Sequence, residues 1–110
     1  MRLPNADQAV VEIRKLRDYV LNSAHLRGRH KARVFASALG LRSEHADVLR
    51  EALLIAAHEE EAVPVLSDVH GCQYVVEFLM NRGSRGARIR SVWIVRPDED
   101  FPRFVSCYVM

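Results

Sequence analysis

The chemistry of the apolar residues changes near Pro64, and this change constrains the fold more than any other feature of the 110-residue chain. Before Pro64 the chain is rich in Ala and Leu at helical spacing, whereas after it β-branched and aromatic residues prevail. Helices that all precede the strands disfavour the alternating βαβ units of a parallel sheet. The sequence therefore predicts an α+β fold, with two to three N-terminal helices packed on one face of a four-stranded antiparallel sheet.

Length and composition indicate the class of protein. A chain of this length is expected to form a single domain over residues 1–110, and its 49% hydrophobic and 27% charged residues are typical of a folded globular protein. No apolar run reaches the roughly 18 to 20 residues of a membrane span, and Met1 to Asn5 lacks the apolar core of a secretory signal. We therefore expect a cytoplasmic protein without membrane contact, in which Cys72 and Cys107 are free thiols.

The N-terminal half is predicted to hold three helices. Apolar spacing places them over residues 12–22, over residues 30–39, and from a Ser43 cap to the acidic run at residues 59–61. Gly40 is the expected C-terminal stop of the second helix. Residues 9–11 are either a short edge strand or the start of the first helix, and periodicity alone does not separate these alternatives.

Four strands are predicted after the helices. They cover residues 63–66, 72–80, 87–96 and 103–109, with a flexible and basic hairpin loop over residues 81–86. The alternation in the third strand is imperfect, so that Val92 and Trp93 compete with each other for the core, alongside Ile89 and Ile94. Sequence alone leaves this competition open.

Chemically active side chains collect on the final strand. Arg103, Ser106 and Tyr108 are expected on one side of it. Phe104 is expected on the same side. The strand thereby offers a cation, a hydroxyl and a phenol, although an exposed polar face explains the same pattern, above all for Arg103.

Charge is distributed unevenly along the chain, although the net charge is only +2. Residues 1–36 carry eight Lys or Arg against three Asp or Glu, residues 37–70 carry two against seven, and residues 71–110 carry six against four. Uneven basicity is the usual footprint of a phosphate partner, and the first and third blocks can form one positive face. The middle block is expected to be an acidic, solvated surface. Solubility alone is the alternative explanation of such charge.

The stretch from His25 to Arg33, the basic segment, is the strongest candidate for holding a phosphate. It packs two imidazoles and four permanent cations into nine residues, and Gly28 allows close approach to the free N–H groups of a helix start. The expected phosphate- or RNA-binding residues are Arg27, Arg29, His30 and Arg33, with Arg90 and Arg103 of the strands. The segment is not a P-loop, because only one glycine precedes Lys31, and nucleotide hydrolysis is therefore disfavoured.

Catalysis by the basic segment would depend on its histidines and on Lys31. His25 or His30 could shuttle protons, and Lys31 could stabilise a pentavalent phosphorane. The basic stretches lack the clustered carboxylates of metal-dependent nucleases, so a nuclease here is expected to act without metal or cofactor, on RNA, whose 2′-hydroxyl is an internal nucleophile. The chain shows neither zinc-ligand spacing nor a Gly-x-Ser-x-Gly motif. The alternative is that both histidines are polar loop and cap residues.

Five stretches spread over nearly the whole chain carry a resemblance to a known family. They are Lys15-Leu16-Arg17-Asp18-Tyr19, His25-x-x-Gly28-x-His30-Lys31-Ala32-Arg33-x-Phe35, Leu39-Gly40, Trp93-Ile94-Val95-Arg96 and Phe101-Pro102-Arg103-x-Val105-Ser106-x-Tyr108. As a set they resemble a small bacterial domain family that occurs as stand-alone proteins and as C-terminal modules of polymorphic toxins. That family's layout is similar to the superfold shared by barnase, the EndoU-type nucleases and the RelE toxins.

The resemblance implies roles for the residues that match the family pattern. His25 would be the general base or acid, Lys31 would stabilise the phosphorane, and Ser106 and Tyr108 would orient the phosphate or the substrate. Leu26 stands where the family usually has proline, in the loop that positions His25. Ser106 stands where the family usually has threonine, and this exchange preserves the hydroxyl.

Three functions compete at this point. The leading hypothesis is a metal-independent, toxin-type ribonuclease that works by 2′-hydroxyl transesterification and is held inactive by a small acidic antitoxin or immunity protein. The alternative is a noncatalytic basic module that binds RNA or an acidic protein partner. The third is a structural domain that forms a homodimer through the free edge of its last strand.

Overall fold

The computed structural model describes residues 1–110 and contains three helices followed by four strands. The helices are α1 (Ile13–Lys15), α2 (Arg29–Leu39) and α3 (Ala46–Glu59), and the strands are β1 (Ala62–Asp68), β2 (Gly71–Arg82), β3 (Arg85–Val95) and β4 (Arg103–Val109). The strands pair as an antiparallel meander in the order β1-β2-β3-β4. The predicted α+β fold, with its helices preceding a four-stranded sheet, is confirmed.

The first helix is shorter and more irregular than the predicted 12–22. After α1 the chain passes directly into a π-helical turn, Leu16–Val20, whose two end residues are buried. A π-helical turn holds one residue more than an α-helical turn, and such turns are often found at functional sites. Tyr19 lies in this turn with 42% of its surface exposed, although it is an aromatic residue beside the core.

Residues 9–11 adopt the strand-like alternative. The Val10 N–H donates to the Pro102 carbonyl at 3.0 Å, and the Val10 carbonyl accepts from the Phe104 N–H at 2.9 Å, so the chain runs parallel to the start of β4. This contact covers part of the outer edge of β4. The free edge on which the homodimer hypothesis rests is therefore shorter than the sequence suggested.

The end of α2 agrees with the sequence prediction, whereas the start of α3 does not. Gly40 ends α2 in a left-handed conformation (φ 66°), as expected, and Arg82 donates to the carbonyls of Leu39 and Gly40 at 3.1 and 3.0 Å. The predicted Ser43 cap is wrong: the Ser43 hydroxyl donates to the Leu21 carbonyl at 3.2 Å instead. A 3₁₀ turn over Ser43–His45 precedes α3, which begins at Ala46.

Strand alternation divides the sheet into a covered and an open face. Helix α2 packs on β3 and β4, α3 packs on β2, and the buried side chains of all three strands point towards them. Ile89 and Trp93 are fully buried on this covered face, whereas Val92 and Ile94 face the opposite way and stay partly exposed. The open competition in β3 is thus decided in favour of Trp93. None of the helices has the length and apolar composition that crossing a membrane requires.

A β-bulge in β4 sets the direction of its side chains. The register shifts between Val92 and Trp93, which leaves Val105 as an extra residue in β4. As a result, three β4 side chains point to the open face of the sheet. They are Arg103, which pairs with Ile94, Ser106, which pairs with Val92, and Tyr108, which pairs with Arg90. Phe104 does not share their side as expected, because the bulge turns it into the core, where its ring packs edge-on against Trp93 at 5.7 Å.

One polar side chain is buried in the core beneath the helices. The Ser91 hydroxyl donates to the Val76 carbonyl at 2.7 Å and accepts from the Trp93 indole N–H at 2.9 Å. Ser91 and Trp93 are both fully buried. The hydroxyl therefore satisfies the indole and ties β3 to β2 at the same point.

We expect Ser91→Ala to destabilise the protein by about 1–3 kcal/mol, because it leaves the buried Trp93 N–H without an acceptor. Urea denaturation measures this change. Ser37→Ala, an exposed substitution on α2, is the matched control and should stay within about 0.5 kcal/mol of wild type. A Ser91→Ala protein as stable as the control would contradict the proposed role of the hydroxyl.

Candidate functional site

Two cations gather around one phenol at the rim of β4. The Arg90 guanidinium donates to the Tyr108 hydroxyl at 3.0 Å, and its Cζ lies 5.9 Å from the centre of the Tyr108 ring. Lys31 reaches the same ring from α2, with Nζ at 5.3 Å from the ring centre. Glu77, opposite Arg90 on β2, completes a group that we call the β4 cluster: Lys31, Glu77, Arg90 and Tyr108.

Arg90 keeps hydrogen-bonding capacity within the β4 cluster. Its contact with Glu77 is long, at 3.4 Å, and its Nε is buried without a hydrogen-bond partner. The hydrogen bond with Tyr108, and then the one with Glu77, raises the pKa of the guanidinium above its ordinary value, so the side chain stays positive. The cluster thus presents a fixed fork of donors, a second cation and a carboxylate on one surface.

A hollow lies beside the β4 cluster, between the π-helical turn and β4. Its volume is about 340 Å³. We call it the Tyr19 hollow, and it is lined by Lys15, Tyr19, Val20, Val105 and Ser106. The Lys15 ammonium donates to the Phe104 carbonyl at 2.9 Å, which holds it at the edge of β4. The hollow is therefore mainly apolar, with an ammonium and a hydroxyl at its border.

His25 is positioned by its own loop. Its Nδ1 accepts hydrogen bonds from the backbone N–H groups of Arg27 and Gly28, both at 3.2 Å. Its ring packs against Tyr19 with 4.2 Å between ring centres. Because an Nδ1 that accepts cannot carry the proton of a neutral ring, this geometry favours the tautomer with the proton on Nε2.

The predicted catalytic residues fall into two neighbouring groups. Lys31 and Tyr108 contact each other directly within the β4 cluster. Ser106 lines the adjacent hollow, and His25 approaches that hollow through its packing on Tyr19, without a hydrogen bond to Lys31, Ser106 or Tyr108. Ser106 and Tyr108 are two residues apart on one face of β4, which is about 6.6 Å along a strand.

The remaining cations of the basic segment do not point to one place. Arg27, Arg29 and His30 are exposed in the loop and at the start of α2. Arg33 lines a different hollow, together with Arg42. Two positions along an α-helix turn the side chain by about 200°, so Arg33 and Lys31 lie on opposite sides of α2. Only Lys31 of the segment contacts the β4 cluster.

Arg103 is held in a structural ion pair. Its guanidinium donates twice to the Glu99 carboxylate, both bonds at 2.7 Å, and lies 5.0 Å from the centre of the Phe101 ring. These two contacts stiffen the turn that leads into β4. The Arg103 guanidinium is thus engaged by two short bonds, whereas the contact of Arg90 with its carboxylate partner is long.

Sequence reasoning missed three residues that build the site. Glu77 is the lone carboxylate in an apolar strand and pairs across the sheet with Arg90. Lys15 and Tyr19 belong to the stretch Lys15-Leu16-Arg17-Asp18-Tyr19 that carries the family resemblance, but neither was among the predicted site residues. A single carboxylate within a β-branched strand was the available signal for Glu77.

Neither cysteine forms a disulfide. Burial raises the pKa of the Cys107 thiol far above its ordinary value, against an opposing effect of the Lys31 charge, so Cys107 remains a protonated core residue. No three His, Cys, Asp or Glu side chains of the chain converge as metal ligands would.

Two comparisons give matches to this chain. A family model described as a domain of unknown function (DUF6883) matches residues 2–110. No curated protein matches the sequence. Among solved structures, a chain of the contact-dependent growth inhibition toxin–immunity protein complex from Klebsiella pneumoniae 342 is similar, with a TM-score of 0.71 and 20% identity over 92% of this chain and 99% of that chain. At this identity the likeness shows a shared fold.

The Glu99–Arg103 pair predicts a pH dependence of stability. The hydrogen bond from Arg103 lowers the pKa of Glu99. The pair therefore stabilises the folded state at pH values above the ordinary glutamate pKa of about 4.3. This stabilisation is lost as the pH falls through the lowered value. Glu99→Gln should therefore reduce Tm at pH 7, and the difference from wild type should shrink below about pH 4.

Thermal unfolding of wild type and Glu99→Gln between pH 3 and pH 8, on a grid of about half a pH unit, checks this expectation. Glu51→Gln, at an exposed carboxylate of α3, serves as the control for the loss of one negative charge. A constant Tm difference across the whole pH range would contradict the ion-pair explanation.

Gly28 supports the position of His25 by close packing. A Cβ at this position would lie 2.7 Å from the Tyr19 carbonyl oxygen. Gly28→Ala should therefore push the loop away from the π-helical turn and cost about 1–3 kcal/mol. NMR spectra should show a shift of the His25 ring signals, which the exposed loop substitution Ser23→Ala should leave in place. Unchanged ring signals would disprove the packing role of Gly28.

Proposed function

The chain belongs to the DUF6883 family, and from that premise we propose that it is a toxin-like ribonuclease that cleaves RNA without metal, using the ribose 2′-hydroxyl as nucleophile. The observation that carries the proposal is the β4 cluster, in which Arg90 and Lys31 surround the Tyr108 phenol. Two cations and a phenol within reach of one phosphate suit a phosphoryl group that gains negative charge.

Charge stabilisation is the main task of the cluster in this mechanism. When the 2′-oxygen bonds to phosphorus, the pentavalent phosphorane carries more negative charge on its oxygens than the diester. Arg90 offers the donors of its guanidinium, which already holds the Tyr108 hydroxyl, and Lys31 adds an ammonium from α2. Preorganised donors of this type typically contribute a factor of about 10² to 10³ in rate each.

Proton transfer requires a base for the 2′-hydroxyl. Glu77 is the carboxylate of the β4 cluster and accepts this proton in the proposed mechanism. The Tyr108 hydroxyl accepts a hydrogen bond from Arg90 and can therefore donate its own proton to a phosphate oxygen. As the bond between phosphorus and the 5′-oxygen breaks, the leaving oxygen takes the proton that Tyr108 gave to the phosphorane, and His25 donates a hydrogen bond to that oxygen from Nε2–H without losing its proton. The proton held by Glu77 returns to the Tyr108 phenolate by way of solvent, and the products are a 2′,3′-cyclic phosphate and a 5′-hydroxyl.

A protein partner is part of the proposal. The similar chain comes from a complex described as that of a toxin and its immunity protein. A partner that inhibits this chain by covering the β4 cluster would need acidic side chains opposite Lys31 and Arg90, because rim charges of opposite sign steer association. We therefore include a small acidic immunity protein among its partners, beside RNA.

One observation favours a noncatalytic alternative. His25 uses Nδ1 to hold its own loop, which is the role of a structural turn residue. A basic module of this type would bind RNA, or an acidic protein, through Lys31 and Arg90 without cleaving it. Its affinity would fall with salt concentration and would survive replacement of His25.

Cleavage of RNA by the purified protein, in the presence of EDTA, tests the proposed function. Wild type should cut tRNA or total RNA and leave 2′,3′-cyclic phosphate ends, which end-specific ligation identifies. Lys31→Ala and Glu77→Gln should each lower the rate by about 10² to 10³. Arg50→Ala removes a positive charge from the exposed side of α3 and is the matched control, expected to cleave like wild type.

The outcomes separate the two functions. RNA binding without cleavage at any tested concentration, with no growth arrest on expression, would contradict the ribonuclease and support the binding module. Cleavage that persists in Lys31→Ala and Glu77→Gln at the wild-type rate would place the chemistry outside the β4 cluster.

A further inference from the structure

The Tyr19 hollow has the form of a binding site for a small, flat ligand. Its volume of about 340 Å³ lies at the lower end of the range of about 300–1,000 Å³ that small-molecule sites occupy. Its walls are Val20, Val105 and the Tyr19 ring, and its polar groups are limited to Lys15 and Ser106. An apolar slot with few polar groups at its border matches the two surfaces of a nucleobase, whose faces are apolar and whose edge is polar.

We infer that the Tyr19 hollow binds one base of a single-stranded RNA, next to the phosphate held by the β4 cluster. The inference rests on the proposed function, and it adds a subsite that determines which base is accepted. Tyr19 stacks on the base, the two valines flank it, and Lys15 and Ser106 contact its edge.

Tyr19 is prepared for stacking. The residue stays 42% exposed, although both ends of its turn, Leu16 and Val20, are buried. The His25 ring packs on it with 4.2 Å between ring centres, and Gly28 lies close to the backbone of Tyr19, so these contacts limit the motion of the ring. A preorganised aromatic ring loses little conformational entropy when a base stacks on it.

The polar groups of the hollow predict which bases fit. The Lys15 ammonium has three donors and no acceptor, and one of the donors is used on the Phe104 carbonyl. It can therefore bond to a base that presents a carbonyl oxygen, as uracil, cytosine and guanine do. Adenine has no exocyclic carbonyl and offers the ammonium only ring nitrogens, so we expect Lys15 to favour uracil over adenine.

The position of the hollow relative to the β4 cluster fits one nucleotide. Ser106 borders the hollow and Tyr108 belongs to the cluster, and the two residues lie about 6.6 Å apart on the same face of β4. A sugar bridges a separation of this order between a base and its phosphate. A base in the hollow therefore leaves its phosphate beside Arg90 and Lys31.

Fluorescence anisotropy with labelled hexanucleotides tests the inference. The probes are 2′-O-methyl hexauridylate, 2′-O-methyl hexaadenylate and an abasic 2′-O-methyl hexamer, none of which can be cleaved through a 2′-hydroxyl. Wild type should bind the uridine probe more tightly than the other two. Tyr19→Leu should weaken binding of the uridine probe about 5- to 150-fold, the loss of one stacked base, and leave the abasic probe unchanged.

Control variants separate stacking from packing. Tyr19→Phe keeps the ring and should bind the uridine probe within about threefold of wild type. Ile55→Ala removes an exposed apolar side chain from α3 and should match wild type with every probe. Lys15→Met should abolish the preference for uridine over adenosine, and a thermal unfolding curve for each variant confirms that it is folded.

Each result decides between the subsite and the function on which it rests. Equal affinity of wild type for the uridine and abasic probes, or no effect of Tyr19→Leu, overturns the base subsite and leaves the ribonuclease proposal in place. If Lys31→Ala binds every probe as tightly as wild type, the RNA-binding cluster fails, and the subsite fails with it. If Tyr19→Leu loses affinity for the uridine probe but keeps its affinity for the abasic probe, the result supports both the base subsite and RNA binding by the β4 cluster.

Discussion

The hydrogen-bond chain from the Trp93 indole through Ser91 to the Val76 carbonyl determines which way the central hairpin faces. Side chains of a strand alternate between the two faces, so a shift of one residue would expose Trp93 and bury Arg90. Burial of the indole costs free energy when its N–H has no partner, and Ser91 supplies that partner. The open-face direction of Arg90 therefore follows from a contact in the core.

The bulge at Val105 has a similar effect on β4. An extra residue reverses the alternation along the strand, so that Phe104 enters the core while Ser106 and Tyr108 turn to the side of Arg90. Without the bulge, a strand that buries Phe104 would also bury Ser106. Bulges are common at sheet edges and near active sites, where they redirect a side chain, and the β4 cluster and the Tyr19 hollow both depend on this one.

Much of the fold could be predicted from the sequence, because helical periodicity and β-branched runs report directly on burial. The bounds of α2 and β4 agree with prediction to within one residue. Local irregularities could not be predicted: the π-helical turn at Leu16–Val20, the bulge and the 3₁₀ turn at Ser43 arise from tertiary packing, which overrides local preference. The site was predicted only in part for the same reason, since Tyr19 reaches it from the π-helical turn and Lys15 from the residue just before that turn.

The role of His25 illustrates how a local structure limits chemistry. A neutral histidine that acts as a base through Nε2 must carry its proton on Nδ1. Here, however, Nδ1 accepts hydrogen bonds from two backbone N–H groups. To release that atom the loop would have to open at Gly28, which packs against the π-helical turn. In the ribonuclease that we propose, proton transfer is therefore assigned to Glu77 and Tyr108, while His25 donates a hydrogen bond and packs against the Tyr19 ring.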